Sequence, residues 1–182
     1  MPTATRFTTR YEMSEDRVKL SLELPDDNVQ ILWMTRRLLS RMVPHLLDRL
    51  QGIGPIASDP TETQQQATAG SSDAVQRFNQ EAAVSAIARQ PAVTPSEKTP
   101  AGPVAYLITS IDVRSGPQVI VLDFKSGERV LHSLPLGEDA LRQWLSIVYS
   151  QYKAGGWNEA FWPNWIHGPE ATNRAKDGLL LN

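Results

Sequence analysis

The chain of 182 residues contains no cysteine. It therefore cannot form disulfides, iron–sulfur clusters or cysteine-ligated zinc sites, and it has no thiol nucleophile. No two of its three histidines, His45, His132 and His167, stand at ligand spacing from each other. The glycine-rich motifs that bind phosphates and the G-x-S-x-G motif of serine hydrolases are also missing. We expect a protein without catalytic set, cofactor or metal.

Long apolar runs are missing as well. No run approaches the ~18 apolar residues of a membrane-spanning helix. The first residues alternate polar and apolar side chains instead of forming the apolar segment of a signal peptide. The formal net charge is only −2, so no strong overall field attracts nucleic acid or anionic lipid. These features predict a cytoplasmic protein that does not bind membranes.

Residues 5–52 are predicted to form three strands followed by a helix. Apolar and polar side chains alternate over 7–13 and again over 18–24. This period of two is typical of strands with one buried face. A Pro-Asp-Asp-Asn turn at 25–28 then leads to a third strand, Val29 to Trp33.

A helix is predicted directly after this third strand. Thr35 occupies the N-cap position, and the apolar residues after it recur at helical spacing as far as Leu50. Pro44 lies inside the helix, where it removes one backbone donor and should cause a kink. Gly52 suits the C-terminal end.

The same pattern returns at 104–156, about one hundred positions later. Phe7, Thr9, Tyr11 and Met13 correspond to Leu107, Thr109, Ile111 and Val113, and Leu20, Leu22 and Leu24 correspond to Ile120, Leu122 and Phe124. The helices align after a further shift of two positions. Internal duplication explains this agreement, although any two meanders followed by helices would match in part. Because one such unit makes only a thin core, we predict an α+β fold: two pseudo-symmetric β-β-β-α units form one domain, with antiparallel sheets and packed helices.

Residues 53–103 are predicted to be a linker that contains one helix. Both ends of the segment are rich in Pro, Gly, Ser, Thr and Gln. A tethered central helix is expected at about 74–89, capped by Ser72 or Asp73. Its weak apolar stripe consists of Val75, Phe78, Ala82 and Ile87. This helix would pack on its own domain, on a second protomer or on a partner.

Residues 157–166 hold three of the five tryptophans and have no counterpart in the first unit. The aromatic residues of this segment, Trp157, Phe161, Trp162 and Trp165, share one face if the segment is helical. They either close the core as a lid or form a docking surface, since tryptophan concentrates binding energy at interfaces. We assign Trp157 to the core and Trp165 to the rim, where it would contact a partner. Residues 167–182 are predicted to be a tail.

Three arginines of the first helix form a second candidate site. Arg36 and Arg37 lie in the first turn, where the helix dipole disfavours positive charge, and Arg41 follows on the outer face. They form either a solvated basic face or a contact with an acidic partner or a phosphate. Asp123 stands out too, because it interrupts an apolar strand. If buried alone it would have a raised pKa; otherwise it faces solvent or pairs with Arg129 or Lys125.

Two functions fit these features. The first is a non-enzymatic protein–protein interaction module, such as an assembly factor, an adaptor or a small subunit, whose partner is another protein or a second copy. The alternative rests on architecture: a repeated strands-then-helix unit resembles PUR and Whirly-type domains, although those have four strands per repeat and this chain has three. That resemblance implies binding of single-stranded nucleic acid by base stacking beside a basic groove. The outward strand residues that would contribute are Arg6, Arg10, Arg17 and Lys19.

Overall fold

The computed structural model describes residues 6–25, 28–52, 67–88 and 103–166, with the backbone alone for 67–72 and 87–88. Within these ranges the chain is α+β, with two sheets and three α-helices. The strands are β1 (Arg6–Glu12), β2 (Arg17–Glu23), β3 (Val29–Thr35), β4 (Val104–Leu107), β5 (Ser110–Ser115), β6 (Val119–Ser126) and β7 (Arg129–Gly137). The helices are α1 (Arg36–Gly52), α2 (Ala67–Ala88) and α3 (Glu138–Ala154), and a 3-10 helix spans Asn164–Ile166.

The first sheet has the order β1-β2-β3-β4. Its first three strands form the predicted antiparallel meander, with Thr9 opposite Leu20 and Leu20 opposite Leu32. Side chains at directly opposed positions share one face of a sheet. That face is the buried one, because Leu20, Leu32 and Met34 are fully buried.

The fourth strand corrects the predicted sheet pattern. β4 runs parallel to β3, so the first sheet is mixed rather than antiparallel. Leu107, predicted to begin the second meander, lies in β4, and the second sheet starts only at Ser110. Between the two strands Ile108 is buried in the core. Alternation of polar and apolar residues predicts a strand, but it does not predict which strand lies beside it. Here the alternation continues while the chain passes from the first sheet to the second.

The second sheet has the order β5-β6-β7 and is antiparallel throughout. Its central strand buries Ile120, Leu122 and Phe124. A bulge at Phe124 and Lys125 shifts the register, and His132 lies opposite Phe124. His132 is only 2% exposed, so it is more deeply buried than the half-buried position expected from the sequence.

Two helices follow their meanders without a loop. The backbone N–H of Leu38 donates to Thr35 Oγ1 at 3.2 Å, which confirms Thr35 as the N-cap of α1. Pro44 lies within α1 and Gly52 ends it, as predicted. The apolar faces of α1 and α3 join both sheets in one core cluster. The helical residues in that cluster include Leu39, Leu46, Leu50, Trp144, Leu145 and Val148.

The central helix is longer than predicted. α2 begins at Ala67, seven positions before the expected start, and ends at Ala88. Ser72 and Asp73 therefore lie inside the helix instead of capping it. Residues 53–66, 89–102 and 167–182, assigned to linkers and tail, lie outside the described residues. None of the helices in the described ranges combines the length and the apolar character needed to cross a membrane.

Candidate functional site

The aromatic segment, residues 157–166, packs on the end of α3. Trp157 is 5% exposed and Trp165 is 3% exposed. Trp157 is thus buried, as expected, but the position predicted for Trp165 at the rim is wrong. Its ring lies in the core because residues 164–166 turn back as a 3-10 helix that packs against α2 and α3. Apart from this turn, the predicted short helix of the segment does not form.

Tyr152 of α3 lies at the centre of a cluster of aromatic rings from this segment. Its ring makes edge contacts with Trp157, Phe161 and Trp162, with centroid distances of 5.2, 6.0 and 5.3 Å. Burial raises the pKa of Tyr152 to about 12. The Tyr152 hydroxyl lies 3.3 Å from Ser40 Oγ, so the cluster also touches α1. Phe161 and Trp162 remain partly buried.

A second set of contacts ties the segment to the β1–β2 turn. Trp157 Nε1 donates to Asp16 Oδ1 at 2.9 Å, and the Tyr11 hydroxyl donates to the same oxygen at 2.8 Å. The hydrogen bond from Tyr11 and then that from Trp157 lower the pKa of Asp16. The backbone at Gly155 lies close to the Tyr11 ring, because a Cβ on Gly155 would be only 2.9 Å from it. These contacts indicate a structural closure of the core.

The three predicted arginines separate into two groups. Arg36 Nε donates to Glu159 at 2.9 Å, and Ser40 Oγ donates to the same carboxylate at 3.1 Å. Arg36 therefore holds the aromatic segment on α1. Arg37 and Arg41 are exposed, and neither makes an ion pair within the described ranges.

The most unusual residue is Arg142, which the sequence did not single out. It is 1% exposed and lies between α3 and α2. Its Nε and Nη2 donate to Glu138 at 3.0 and 2.8 Å, and Nη2 also donates to Gln76 Oε1 at 2.7 Å. The guanidinium carbon lies 5.7 Å from the centroid of the Trp165 ring. A buried charge is tolerated where an opposite charge and hydrogen-bond acceptors lie beside it, as Glu138 and Gln76 do here.

Glutamines on α2 supply further polar contacts at this interface. Gln76 Nε2 donates to the Leu50 carbonyl at 3.2 Å, and Gln80 Nε2 donates to the Arg142 carbonyl at 3.2 Å. From the other side, Gln143 Nε2 donates to the Ala83 carbonyl at 3.0 Å. α2 therefore docks on its own domain mainly through polar groups.

The opposite side of α2 carries its large exposed apolar residues. Phe78 is 71% exposed and Val75 is 46% exposed. The predicted apolar stripe is thus not the docked face, and the side chain of Ile87 lies outside the description. We define the outward face of α2 as Ala74, Val75, Arg77, Phe78, Glu81 and Ala82. A cavity of about 370 Å³ on this face is lined by Asp73, Ala74, Arg77, Phe78 and Glu81.

The outer face of the first sheet also carries an aromatic residue. Arg10, Lys19, Trp33 and Leu107 are directly opposed across the four strands and so form one row on this face. Lys19 Nζ lies 5.9 Å from the Trp33 ring centroid. Arg17 on the same sheet forms an exposed ion pair with Glu15 at 3.4 Å. The alternation in β3 could have revealed Trp33 as an outward residue.

Asp123 has a structural partner. It is 8% exposed and accepts hydrogen bonds from Arg114 at 2.6 and 2.9 Å and from the Ser133 hydroxyl. The Arg114 guanidinium lowers the pKa of this carboxyl, so a raised pKa is the wrong expectation. The ion-pair partner of Asp123 is thus Arg114 and not Arg129 or Lys125. Lys125 pairs with Asp112 instead.

One further cavity of about 360 Å³ lies beside the β5–β6 turn. Arg49 lines it and donates through Nη2 to the Gly116 carbonyl at 3.0 Å. Its walls are mostly apolar, and its carboxylate, Glu138, is engaged by Arg142. Across the part of the chain that is described, no three acidic or histidine side chains gather to hold a metal ion.

Comparisons of the chain with protein-family models, with curated proteins and with solved structures find no match. Among the described residues, an aromatic side chain faces outward on α2, at Phe78, and on the outer face of the first sheet, at Trp33.

Proposed function

We propose that the protein is a non-enzymatic protein–protein interaction module, such as an assembly factor, an adaptor or a small subunit of a complex. The outward face of α2 is its docking surface. The observation that carries this proposal is the 71% exposure of Phe78 on a helix whose other side is docked. Burying a side chain of this size contributes about 1.5–3 kcal/mol, and adjoining exposed apolar side chains, here Phe78 and Val75, mark interaction sites.

The aromatic segment is not part of this docking surface. Trp157 and Trp165 are buried, so a partner could reach them only if the segment unpacked. Arg37 and Arg41, exposed on α1, are retained as a second contact for acidic groups of a partner. We also propose a cytoplasmic location, which cell fractionation would test.

Site-specific photo-crosslinking tests the docking surface. A benzophenone side chain replaces Phe78 in one variant and the exposed Asp139 of α3 in a matched control. We expect a discrete protein adduct from position 78 and none from position 139, either with purified protein or in native lysate. Adducts of equal yield at both positions, or none at either, would contradict the proposal.

A second candidate function is binding of single-stranded nucleic acid on the outer face of the first sheet. The row that contains Arg10, Lys19 and Trp33 favours it, because it places a base-stacking ring beside cations. Fluorescence anisotropy with labelled single strands at low salt is the test. Trp33→Ala and Arg10→Glu should abolish binding, whereas Arg41→Glu, with the same change in charge on α1, should retain it. Absence of binding at micromolar protein excludes this function.

We also propose that the two β-β-β-α units arose by internal duplication. Arg36 and Glu138 are 102 positions apart, as are Gly52 and Ala154. The ladder pairs Arg17–Thr35 and Val119–Gly137 show the same offset at both members. The sequence pattern predicts an offset of 100 between β2 and β6, whereas the ladder pairs give 102. In a crystal structure, 17–52 should superpose on 119–154 without an alignment gap beyond the hairpin turn. A gap inside either helix would contradict duplication.

A further inference from the structure

We propose that the partner at the outward face of α2 is a second copy of this chain, bound by antiparallel packing of two α2 helices. This inference rests on the proposed interaction function. It follows from the arrangement of one bulky apolar residue, small residues and two charges on this face.

The middle of the outward face suits close helix packing. At about 100° per residue, Ala74, Phe78 and Ala82 fall within about 40° of one line along the helix. The docked residues Gln76 and Gln80 lie on the opposite side, so the domain itself does not obstruct this line. The alanines one turn before and after Phe78 leave space for another helix to approach the ring.

The charges on one flank of the face complement themselves. Arg77 and Glu81 are exposed, lie on the same side of Phe78, and make no ion pair within the described residues. They stand two positions before and two positions after Asn79. A two-fold axis at the level of Asn79 therefore places Arg77 opposite the partner's Glu81, and symmetry generates the same pair a second time.

The cavity on this flank has room for a side chain of the second copy. Its volume of about 370 Å³ is large beside the ~30 Å³ that one water molecule occupies. With the axis at Asn79, the two Phe78 rings lie next to each other, where offset or edge packing of rings is favourable. A partner of a single charge sign would leave Arg77 or Glu81 facing like charge, whereas a second copy satisfies both. The surface thus favours self-association.

Charge reversal tests this arrangement. Arg77→Glu and Glu81→Arg each place like charges across the two-fold axis, so each variant should dimerise at least about tenfold more weakly than the wild type. An equimolar mixture of the two variants should form a heterodimer, because every opposed pair is then complementary. The double variant should dimerise like the wild type. Sedimentation equilibrium over a range of concentrations measures each case.

Two controls separate this result from unfolding and from other contacts. Asp139→Arg on α3 should leave dimerisation unchanged. Phe78→Ala should abolish dimerisation while the melting temperature stays within a few degrees, since the ring is mostly exposed. A dimer that persists in Phe78→Ala and in both charge variants would overturn the proposal.

A wild-type chain that stays monomeric would also overturn it. In that case an adduct of position 78 with another protein would leave the interaction function standing, with a different partner. No adduct at position 78 would remove both proposals together.

Discussion

Replacing Arg142 with alanine should loosen α2 from the rest of the domain. The change removes two buried methylenes, Cγ and Cδ, each contributing about 0.8 kcal/mol. It also leaves Gln76 Oε1 without its donor in a buried site, which costs about 1–3 kcal/mol. Glu138 regains water because its side chain is 37% exposed, so its lost ion pair adds little. The expected loss is about 3–5 kcal/mol in the free energy of unfolding.

Two further variants separate packing from charge. Arg142→Met keeps most of the methylene volume and should cost only about 1–3 kcal/mol, the price of the unsatisfied Gln76 oxygen. Combining it with Gln76→Leu removes both polar partners, and buried ion pairs replaced by apolar groups of similar volume are often neutral. The double variant should therefore recover part of the lost stability, but not all of it, because Gln76→Leu also removes the donor to the Leu50 carbonyl.

Urea unfolding measures the total change, and hydrogen exchange locates it. Faster exchange should appear first along α2. If Arg142→Ala unfolds at the wild-type urea concentration and α2 keeps its protection, Arg142 does not hold this helix. If the double variant loses the sum of the two single losses, the polar contact is not shared between Arg142 and Gln76.

Three other changes test the remaining contacts. Trp157→Ala and Trp165→Ala should each cost about 3–5 kcal/mol in urea unfolding, because both rings are buried; a melting temperature within a few degrees of the wild type for either would contradict its place in the core. Burial lowers the pKa of His132 in the folded chain below its ordinary value of 6.5. As the pH drops below about 6.5, the unfolded chain therefore binds the proton before the folded chain does. The free energy of unfolding falls until the pH reaches the pKa of the folded state. His132→Leu should lose less stability than the wild type between about pH 7.5 and about pH 5.5, and an equal loss would refute this assignment. Gly155→Ala places a Cβ 2.9 Å from the Tyr11 ring and should cost about 1–3 kcal/mol, whereas Gly52→Ala, which meets nothing, should cost little.

The sequence predicted those elements whose signals are local. The strands β1, β2 and β3 follow from alternation, and α1 follows from its spacing and from the Thr35 cap. The end of α3 is marked by Gly155. Each signal involves only neighbouring residues, so no knowledge of tertiary contacts is needed.

The parts that were missed depend on distant partners. Nothing in the alternation near Val104 shows that this strand lies parallel to β3, since strand pairing is a long-range choice. Arg142 lies between Leu141 and Gln143 on α3, and its burial depends on α2 covering it. The position of Trp165 beside the tail predicts a place at the rim, but the 3-10 helix turns its ring inward.

The orientation of α2 follows from a competition between two burials. Turning the helix to bury Phe78 would gain about 1.5–3 kcal/mol. The same rotation would break the hydrogen bond between Arg142 and Gln76, which is worth about 1.5–3 kcal/mol because one group is charged. It would also break three neutral hydrogen bonds between α2 and the domain, each worth about 0.5–1.5 kcal/mol. Together these polar contacts decide which side of α2 faces the domain, and the apolar side is left outward. The buried arginine thus explains both the polar docked face and the exposed phenylalanine on which the proposed interaction depends.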